Sequence, residues 1–93
     1  MSAVEFEHDA ERHRYLGRID GEVVCSLDYA DSGDVVSMTR TFTNPPFRGR
    51  GHAAEITEHA VREAAAAGKR VRPMCWYVAD WFAAHPEHAH LLA

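Results

Sequence analysis

Two consecutive prolines, in the segment Asn44-Pro45-Pro46, divide this chain into two halves of different chemistry. Proline has a fixed φ and no backbone N–H, so neither a helix nor a regular strand ladder continues through the pair. The half before the prolines is rich in strand-forming patterns, and the half after them is rich in alanine. We therefore expect a loop here, with strands before it and helices after it.

The half before the prolines has the pattern of four short strands. Apolar and polar residues alternate in the first segment, around Val4 and Phe6, and the last segment is rich in β-branched residues. Asp20-Gly21 is a strong hairpin signal, and a second turn is expected at residues 31–34. The expected strands cover residues 4–8, 14–19, 22–29 and 35–43.

The half after the prolines predicts two helices with a strand between them. Residues 51–67 form the first helix, and Gly68 ends it because glycine readily takes a positive φ. Small side chains recur on one face of this helix, at three- and four-residue spacing. That face consists of Ala53, Ile56, Ala60, Ala64 and Ala67. The remaining elements are a strand at residues 69–74, a helix at residues 76–84 that Pro86 stops, and one further turn at residues 87–92.

The expected order is β-β-β-β-α-β-α in a single domain over residues 1–93, since a chain of this length buries only one core. Short turns make the first four strands an antiparallel meander. The helical connection from the fourth strand to the fifth is expected to be right-handed, which makes those two strands parallel. The predicted class is α+β, with a mixed and mostly antiparallel sheet.

Composition excludes several function classes. Hydrophobic residues make up 46% and charged residues 26% of the chain, as in ordinary globular proteins. No apolar run approaches the roughly 20 residues that span a membrane, and the N-terminal residues do not form a secretion signal. A cytoplasmic location is the default. The net charge of −4 argues against non-specific binding of nucleic acid.

A glycine-rich loop precedes the first helix and has the features of an anion site. Gly49 and Gly51 flank Arg50, and their lack of a Cβ allows a tight turn and a close approach to backbone N–H groups. The first N–H groups of a helix are unpaired and carry the positive end of its dipole. Arg48 and Arg50 add donors for phosphate oxygens. The alternative is that the glycines only build a β-to-α turn and the arginines are solvated.

The loop matches neither a P-loop nor a dinucleotide fingerprint. It resembles instead the pyrophosphate motif of the GCN5-related N-acetyltransferases, (Gln/Arg)-x-x-Gly-x-(Gly/Ala), which here is Arg48-x-x-Gly51-x-Ala53. Residues 38–53, with residues 73–78 and His85-Pro86-Glu87, are similar to the signature of a small-domain subfamily of these enzymes. The resemblance covers residues from about 20 to 92 and implies a minimal acyl-CoA N-acyltransferase fold.

The resemblance also implies a cofactor site for acetyl-CoA. Phe42 and Thr43 are expected to hydrogen-bond the pantetheine arm through their backbone groups. The pyrophosphate is expected on the main-chain N–H groups of the loop, namely Arg48, Gly49, Arg50, Gly51, His52 and Ala53. One departure is Arg40, which stands where the subfamily has a histidine between two threonines, so any role of that histidine is in doubt here.

Two residues after the fifth strand are candidate catalytic groups. Cys75 follows a strand that contains Pro73 and that is expected to be central in the sheet, where proline is unsuited. The family's gap between its fourth and fifth strands would accommodate the proline. Near a helix N-terminus the thiol is expected to have a lowered pKa, and it either accepts the acetyl group or lines the thioester site. The alternative is that Cys75 is a small buried hydrophobe. Tyr77 resembles the general acid that protonates the CoA thiolate; its alternative is a ring packed on the sheet.

The remaining aromatic, cysteine and histidine residues are interpreted as structural. Trp76, Trp81 and Phe82 are expected in the core, and Cys25 is expected to be a buried thiol that stays reduced, like Cys75. The seven histidines are scattered without zinc-ligand spacing, so no metal site is predicted.

The leading hypothesis is transfer of an acetyl group from acetyl-CoA to a primary amine, on a small molecule or a protein. The alternative is a module that binds CoA or acyl-CoA with little turnover, because the chain opens in a strand and lacks helices that would wall an acceptor site. A structural domain with a vestigial loop is the third hypothesis. We expect a monomer or a weak homodimer.

Overall fold

The computed structural model describes residues 3–93. Met1 and Ser2 lie outside the described residues, and the predictions about the N-terminal signal and about a domain over residues 1–93 include both of them. The predicted element order is confirmed. The strands are β1 (Glu5–Asp9), β2 (Arg14–Ile19), β3 (Glu22–Asp31), β4 (Val35–Thr43) and β5 (Arg70–Pro73). The helices are α1 (His52–Ala66) and α2 (Trp76–Ala84), with short 3-10 turns at Ala10–Arg12, Pro45–Phe47 and Pro86–Leu91.

Turn chemistry explains why the boundaries match the sequence so closely. Asp20 and Gly21 have φ angles of 50° and 81°, as a two-residue hairpin between β2 and β3 requires. Gly68 follows α1 with a φ of 74° and donates to the carbonyl of Ala65. The Lys69 N–H reaches further back, 2.9 Å from the carbonyl oxygen of Ala64, so the last turn of α1 is closed by a Schellman motif.

The sheet has the strand order β1-β2-β3-β4-β5, antiparallel except for the parallel pair β4 and β5. One core joins sheet residues such as Leu27 and Met38 to residues of both helices, such as Ile56 and Phe82. Helices α1 and α2 therefore cover the same face of the sheet. Leu16 is buried but lies outside this core, which places it on the opposite face. We call that opposite face the bare face.

Three packing predictions need correction. Ala67 is exposed, because the helix has already ended there, and Ala53 is only half-buried. The buried face of α1 includes Thr57 and Val61 instead, so it is wider than the alanine spacing suggested. Trp76 is 74% exposed, because it is the first residue of α2 and precedes the turn that packs on the core.

The prediction that Pro73 lies in a central strand is also wrong. β5 is at the edge of the sheet, and only an isolated bridge from Val71 to Leu92 lies beyond it. The N–H groups of Arg70 and Met74 point to β4, so by alternation the nitrogen of Pro73 points outward. The proline therefore removes no hydrogen bond from the β4–β5 ladder.

Candidate functional site

β4 and β5 separate at Met38, and this separation defines the candidate site. Their register ends with the pair Met38 and Pro73. The carbonyl oxygen of Met38 then accepts two N–H groups, from Met74 at 3.0 Å and from Cys75 at 2.9 Å. β5 turns here into α2, while β4 continues to Thr43. Among the described residues, the end of β4 has no strand partner on this side, and we call this opening the splay.

A β-bulge decides which backbone groups of β4 face the splay. Tyr29 pairs with Met38 and Asp28 with Arg40, so Thr39 is an extra residue that reverses the alternation. The carbonyl oxygen of Thr43 is 3.4 Å from Nε of Arg48, on the splay side. The backbone of Asn44 points the other way, to the carbonyl of Val24 on β3.

This geometry changes the expected role of Phe42. Backbone N–H and C=O groups alternate in direction along a strand. The backbone groups of Phe42 therefore point to its β3 partner Ser26, while those of Thr41 and Thr43 point into the splay. The expectation that the backbone of Thr43 binds the pantetheine arm stays a prediction, and the backbone groups that face the splay beside it are those of Thr41 and not of Phe42. Thr41 is missed by motif reasoning because a bulge is visible only in the pairing of two strands.

The glycine-rich loop joins the end of β4 to α1. Gly49 and Gly51 have φ angles of 79° and 82°, a conformation that favours glycine. A Cβ would meet no atom within 4 Å at either position, so backbone conformation and not crowding requires the glycines. Gly51 is the N-cap of α1, where no side chain caps the helix.

The first turn of α1 presents unpaired donors. The first hydrogen bond of the helix runs from the Glu55 N–H to the Gly51 carbonyl, at 3.1 Å. The N–H groups of His52, Ala53 and Ala54 precede it, so helix geometry leaves them without an acceptor inside α1. A pyrophosphate accepts hydrogen bonds and carries negative charge, and both suit this helix end.

Two arginines stand beside these donors. Arg48 is exposed, as is Arg50, whose guanidinium lies 5.6 Å from the centre of the Phe47 ring. Among the described residues, neither arginine forms a salt bridge. Their charges are therefore free for an anionic ligand, so the loop fits a pyrophosphate in both donors and charge.

His52 contributes to the loop differently from its neighbours. Its side chain is 5% exposed, and Nδ1 lies 2.9 Å from Oε1 of Glu55. The other ring nitrogen, Nε2, is buried without a partner among the described residues. The ring is therefore buried, so only the backbone N–H of His52 is left as a donor for an anion.

Cys75 lies at the splay as the N-cap of α2, and its thiol is only partly buried. Its Sγ is 3.7 Å from Oγ1 of Thr41. Partial burial raises the pKa of the Cys75 thiol, but four hydrogen-bond donors together lower it by more, first among them the Val78 N–H and the Thr41 hydroxyl. The Tyr77 and Thr41 N–H groups act in the same direction, so the pKa lies below its ordinary value.

Tyr77 lies two positions after Cys75, in the first turn of α2. Burial raises the pKa of its phenol, which stays protonated at neutral pH and is suited to donate a proton. The ring lines a groove of about 260 Å³ that also includes Ala54 of α1 and the exposed Trp76. The groove runs along α2 from Trp76 to His85, beside the first turn of α1.

The structure thus brings together the predicted residues Thr43, Arg48 and Cys75 with Thr41, around one opening. In residues 3–93, no group of three or more His, Cys, Asp or Glu side chains is arranged to hold a metal ion. Nor does any described helix have the length and apolar character needed to cross a membrane.

Comparison with known proteins agrees with this arrangement. A family model described as GCN5-related N-acetyl-transferase matches residues 14–91, which include β2 to β5, both helices and the glycine-rich loop. A search of curated proteins gives no match to the chain. The five-stranded, mostly antiparallel sheet with its helices is consistent with the minimal form of this fold, as predicted. The chain belongs to the GCN5-related N-acetyl-transferase family.

Proposed function

We propose that this protein is an N-acetyltransferase that uses acetyl-CoA as donor and a primary amine as acceptor. The observation that carries the proposal is the splay at Met38. It opens beside Thr41 and Cys75 and leads along β4 to the glycine-rich loop. A thioester end and a pyrophosphate end of one extended ligand would each meet suitable groups. We further propose that it acts in the cytoplasm, as a monomer or a weak homodimer.

In this proposal, the N–H groups of His52 and Ala53, with Arg48, Gly49, Arg50 and Gly51, hold the pyrophosphate. The backbone groups of Thr41 and Thr43 orient the pantetheine arm. Bound acetyl-CoA supplies a thioester, whose acetyl group passes to the amine nitrogen as the carbon–sulfur bond breaks. Tyr77 gives its proton to the departing sulfur, and the excess proton of the amine passes to water. Holding the reactants together accounts for most of the rate.

Cys75 has two possible roles in this scheme. As a nucleophile, its thiolate takes the acetyl group first and passes it to the amine. As a lining residue, it only shapes the splay while the amine attacks directly. Turnover of Cys75→Ala separates the two, because a nucleophile is indispensable and a lining residue is not. Mass spectrometry of the protein with acetyl-CoA alone gives a second measure, an added acetyl group on Cys75.

Two measurements test the function itself. Calorimetry is expected to show CoA binding that Arg48→Glu weakens about 10- to 100-fold, since a charge-assisted contact becomes a repulsion. Arg62→Glu is the matched control, because Arg62 lies on the exposed side of α1 beside Glu58. CoA release is then followed with a panel of amines. Absence of heat with CoA, or equal binding by Arg48→Glu, contradicts the cofactor proposal.

A second candidate function is a CoA-binding module with little turnover. The bare face favours it, because the described chain provides few walls for an acceptor. CoA binding without acetylation of any amine in the panel would support this candidate over the enzyme.

A further inference from the structure

On the bare face of the sheet, a group of side chains borders the splay. Thr41 contacts Cys75, so its neighbours Arg40 and Phe42 project to the opposite face. The Arg40 guanidinium lies 5.4 Å from the centre of the Phe42 ring, which shows that both side chains share that face. Phe42 is 37% exposed, although it is a large apolar residue.

β5 contributes a matching pair of side chains. Val71 is fully buried in the core, so alternation places Arg72 on the bare face, and the exposed Met74 follows directly after β5 ends at Pro73. Met74 is 62% exposed, and Arg72 is exposed as well. Each strand at the splay therefore provides one arginine followed two residues later by an apolar side chain. We call Arg40, Phe42, Arg72 and Met74 the splay rim.

The arginines of the splay rim form no ion pairs among the described residues, unlike those at the other end of the bare face. There, Arg18 lies 3.1 Å from Glu7, and Arg14 lies 3.9 Å from Asp9. Within residues 3–93, neither arginine of the rim has a carboxylate within 4.0 Å.

Two more charged groups face this part of the sheet. Asp28 is the β3 neighbour of Arg40, but it forms no ion pair with it. Arg70 precedes Arg72 by two residues on β5 and adds to the positive charge. In a chain of net charge −4, this is a local concentration of positive charge beside exposed apolar surface.

We propose that the acceptor is a primary amine that carries a carboxylate, as a free amino acid or an acidic peptide N-terminus does; this rests on the proposed function. Guanidinium groups bind carboxylates through two parallel hydrogen bonds, and the rim offers one from each strand. Phe42 and Met74 contact the apolar part of the acceptor. Polyamines and lysine-rich peptides are repelled by the same arginines.

A binding titration tests the acceptor class without requiring turnover. Three tetrapeptides with free N-termini and amidated C-termini carry two glutamates, two glutamines or two lysines after the first residue. The glutamate peptide is expected to bind at least about 10-fold more tightly than the glutamine peptide, and the lysine peptide most weakly. Free glutamate is titrated in parallel. Tighter binding of free glutamate than of the glutamate peptide would identify a small amino acid, and not a peptide, as the acceptor.

Variants assign the effect to the rim. Arg40→Gln with Arg72→Gln is expected to remove the preference for glutamate, whereas the control Arg62→Gln retains it. Arg40→Glu with Arg72→Glu is expected to reverse the preference towards the lysine peptide. Circular dichroism confirms folding of each exposed-site variant. Equal binding of glutamate and glutamine peptides without binding of free glutamate, or a preference that survives the double substitution, overturns the inference.

Turnover with the same peptides distinguishes the two levels of proposal. Efficient acetylation of all three peptides without preference leaves the enzyme proposal standing and removes the acceptor class. Binding of the glutamate peptide at the rim without any acetylation has the opposite meaning. It supports recognition of the carboxylate and contradicts the transferase.

Discussion

The hydroxyl of Thr41 lies 3.7 Å from the sulfur of Cys75, across the opening between β4 and β5. This contact joins the strand beyond the bulge to the first residue before α2. It also places the more reactive of the two cysteines at the splay. The other, Cys25, is fully buried, and burial raises the pKa of its thiol to about 11.

Cys75 should therefore react with iodoacetamide faster than Cys25 at pH 7, because the attacking species is the thiolate. Thr41→Val removes the hydroxyl that lowers the pKa of Cys75, so alkylation should slow by about 3- to 10-fold. Mass spectrometry after timed quenching measures both sites. Thr43→Val is the matched control, and an equal rate in Thr41→Val would contradict the role of the hydroxyl.

Tyr77→Phe should lower the rate of transfer from acetyl-CoA by about 10² or more, since a general acid is lost. The defect should shrink with an aryl thioester, whose sulfur leaves without being protonated. The ratio of kcat values for the two donors is the measurement. Tyr29→Phe, which removes a phenol hydroxyl that bonds His8 outside the groove, is the control. A defect of the same size with both donors would indicate a packing role for Tyr77.

Gly17→Ala should destabilise the fold by about 1–3 kcal/mol, because it overpacks the sheet. A Cβ there would lie 2.5 Å from Sγ of Cys25 and 3.0 Å from Cγ1 of Val4. Cys25→Ala removes the nearer clash, so the double variant should lose less stability than the sum of the single ones. Urea unfolding of all four proteins measures this coupling, and strict additivity would contradict the contact.

Stability should fall at alkaline pH because of Tyr15. Burial raises the pKa of Tyr15 well above its ordinary value, and Glu63 adds to the effect. The folded state then holds the proton more tightly than the unfolded chain, so the stabilisation is complete below about pH 10 and is lost above it. Tyr15→Phe should reduce the slope of unfolding free energy against pH between 9 and 11, by up to about 1.4 kcal/mol per unit.

Urea unfolding of wild type and Tyr15→Phe at several pH values gives this slope. Tyr77→Phe is the comparison, because burial also raises the pKa of that phenol on α2, but the residue is only half-buried, so its removal should change the slope less. An identical slope in wild type and Tyr15→Phe would show that Tyr15 ionises as freely in the folded protein as in the unfolded chain.

The sequence predicts best those elements whose two ends carry definite turn chemistry. β2 and β4 have the expected bounds because Asp20-Gly21 and Pro45-Pro46 leave few other conformations for the chain. α2 is bounded similarly, since Pro86 follows its last turn. The conformation of the glycine-rich loop is predicted equally well, because positive φ angles and the start of a helix depend only on adjacent residues.

The features that sequence could not supply depend on pairs of distant residues. The bulge at Thr39 exists only in relation to β3, and it decides that Thr41 rather than Phe42 faces the splay. The edge position of β5 depends on how its strands assemble, so Pro73 alone did not reveal it. Trp76 is apolar and exposed, which no pattern of hydrophobicity predicts.

The bare face has a consequence for the proposed transfer reaction. Solvent reaches the splay from that face, so hydrolysis of acetyl-CoA is expected to compete with transfer to an amine. Shielding by a lid or a second layer of helices is not provided by residues 3–93. The ratio of acetylated amine to hydrolysed acetyl-CoA should therefore increase with the residence time of the acceptor beside Cys75.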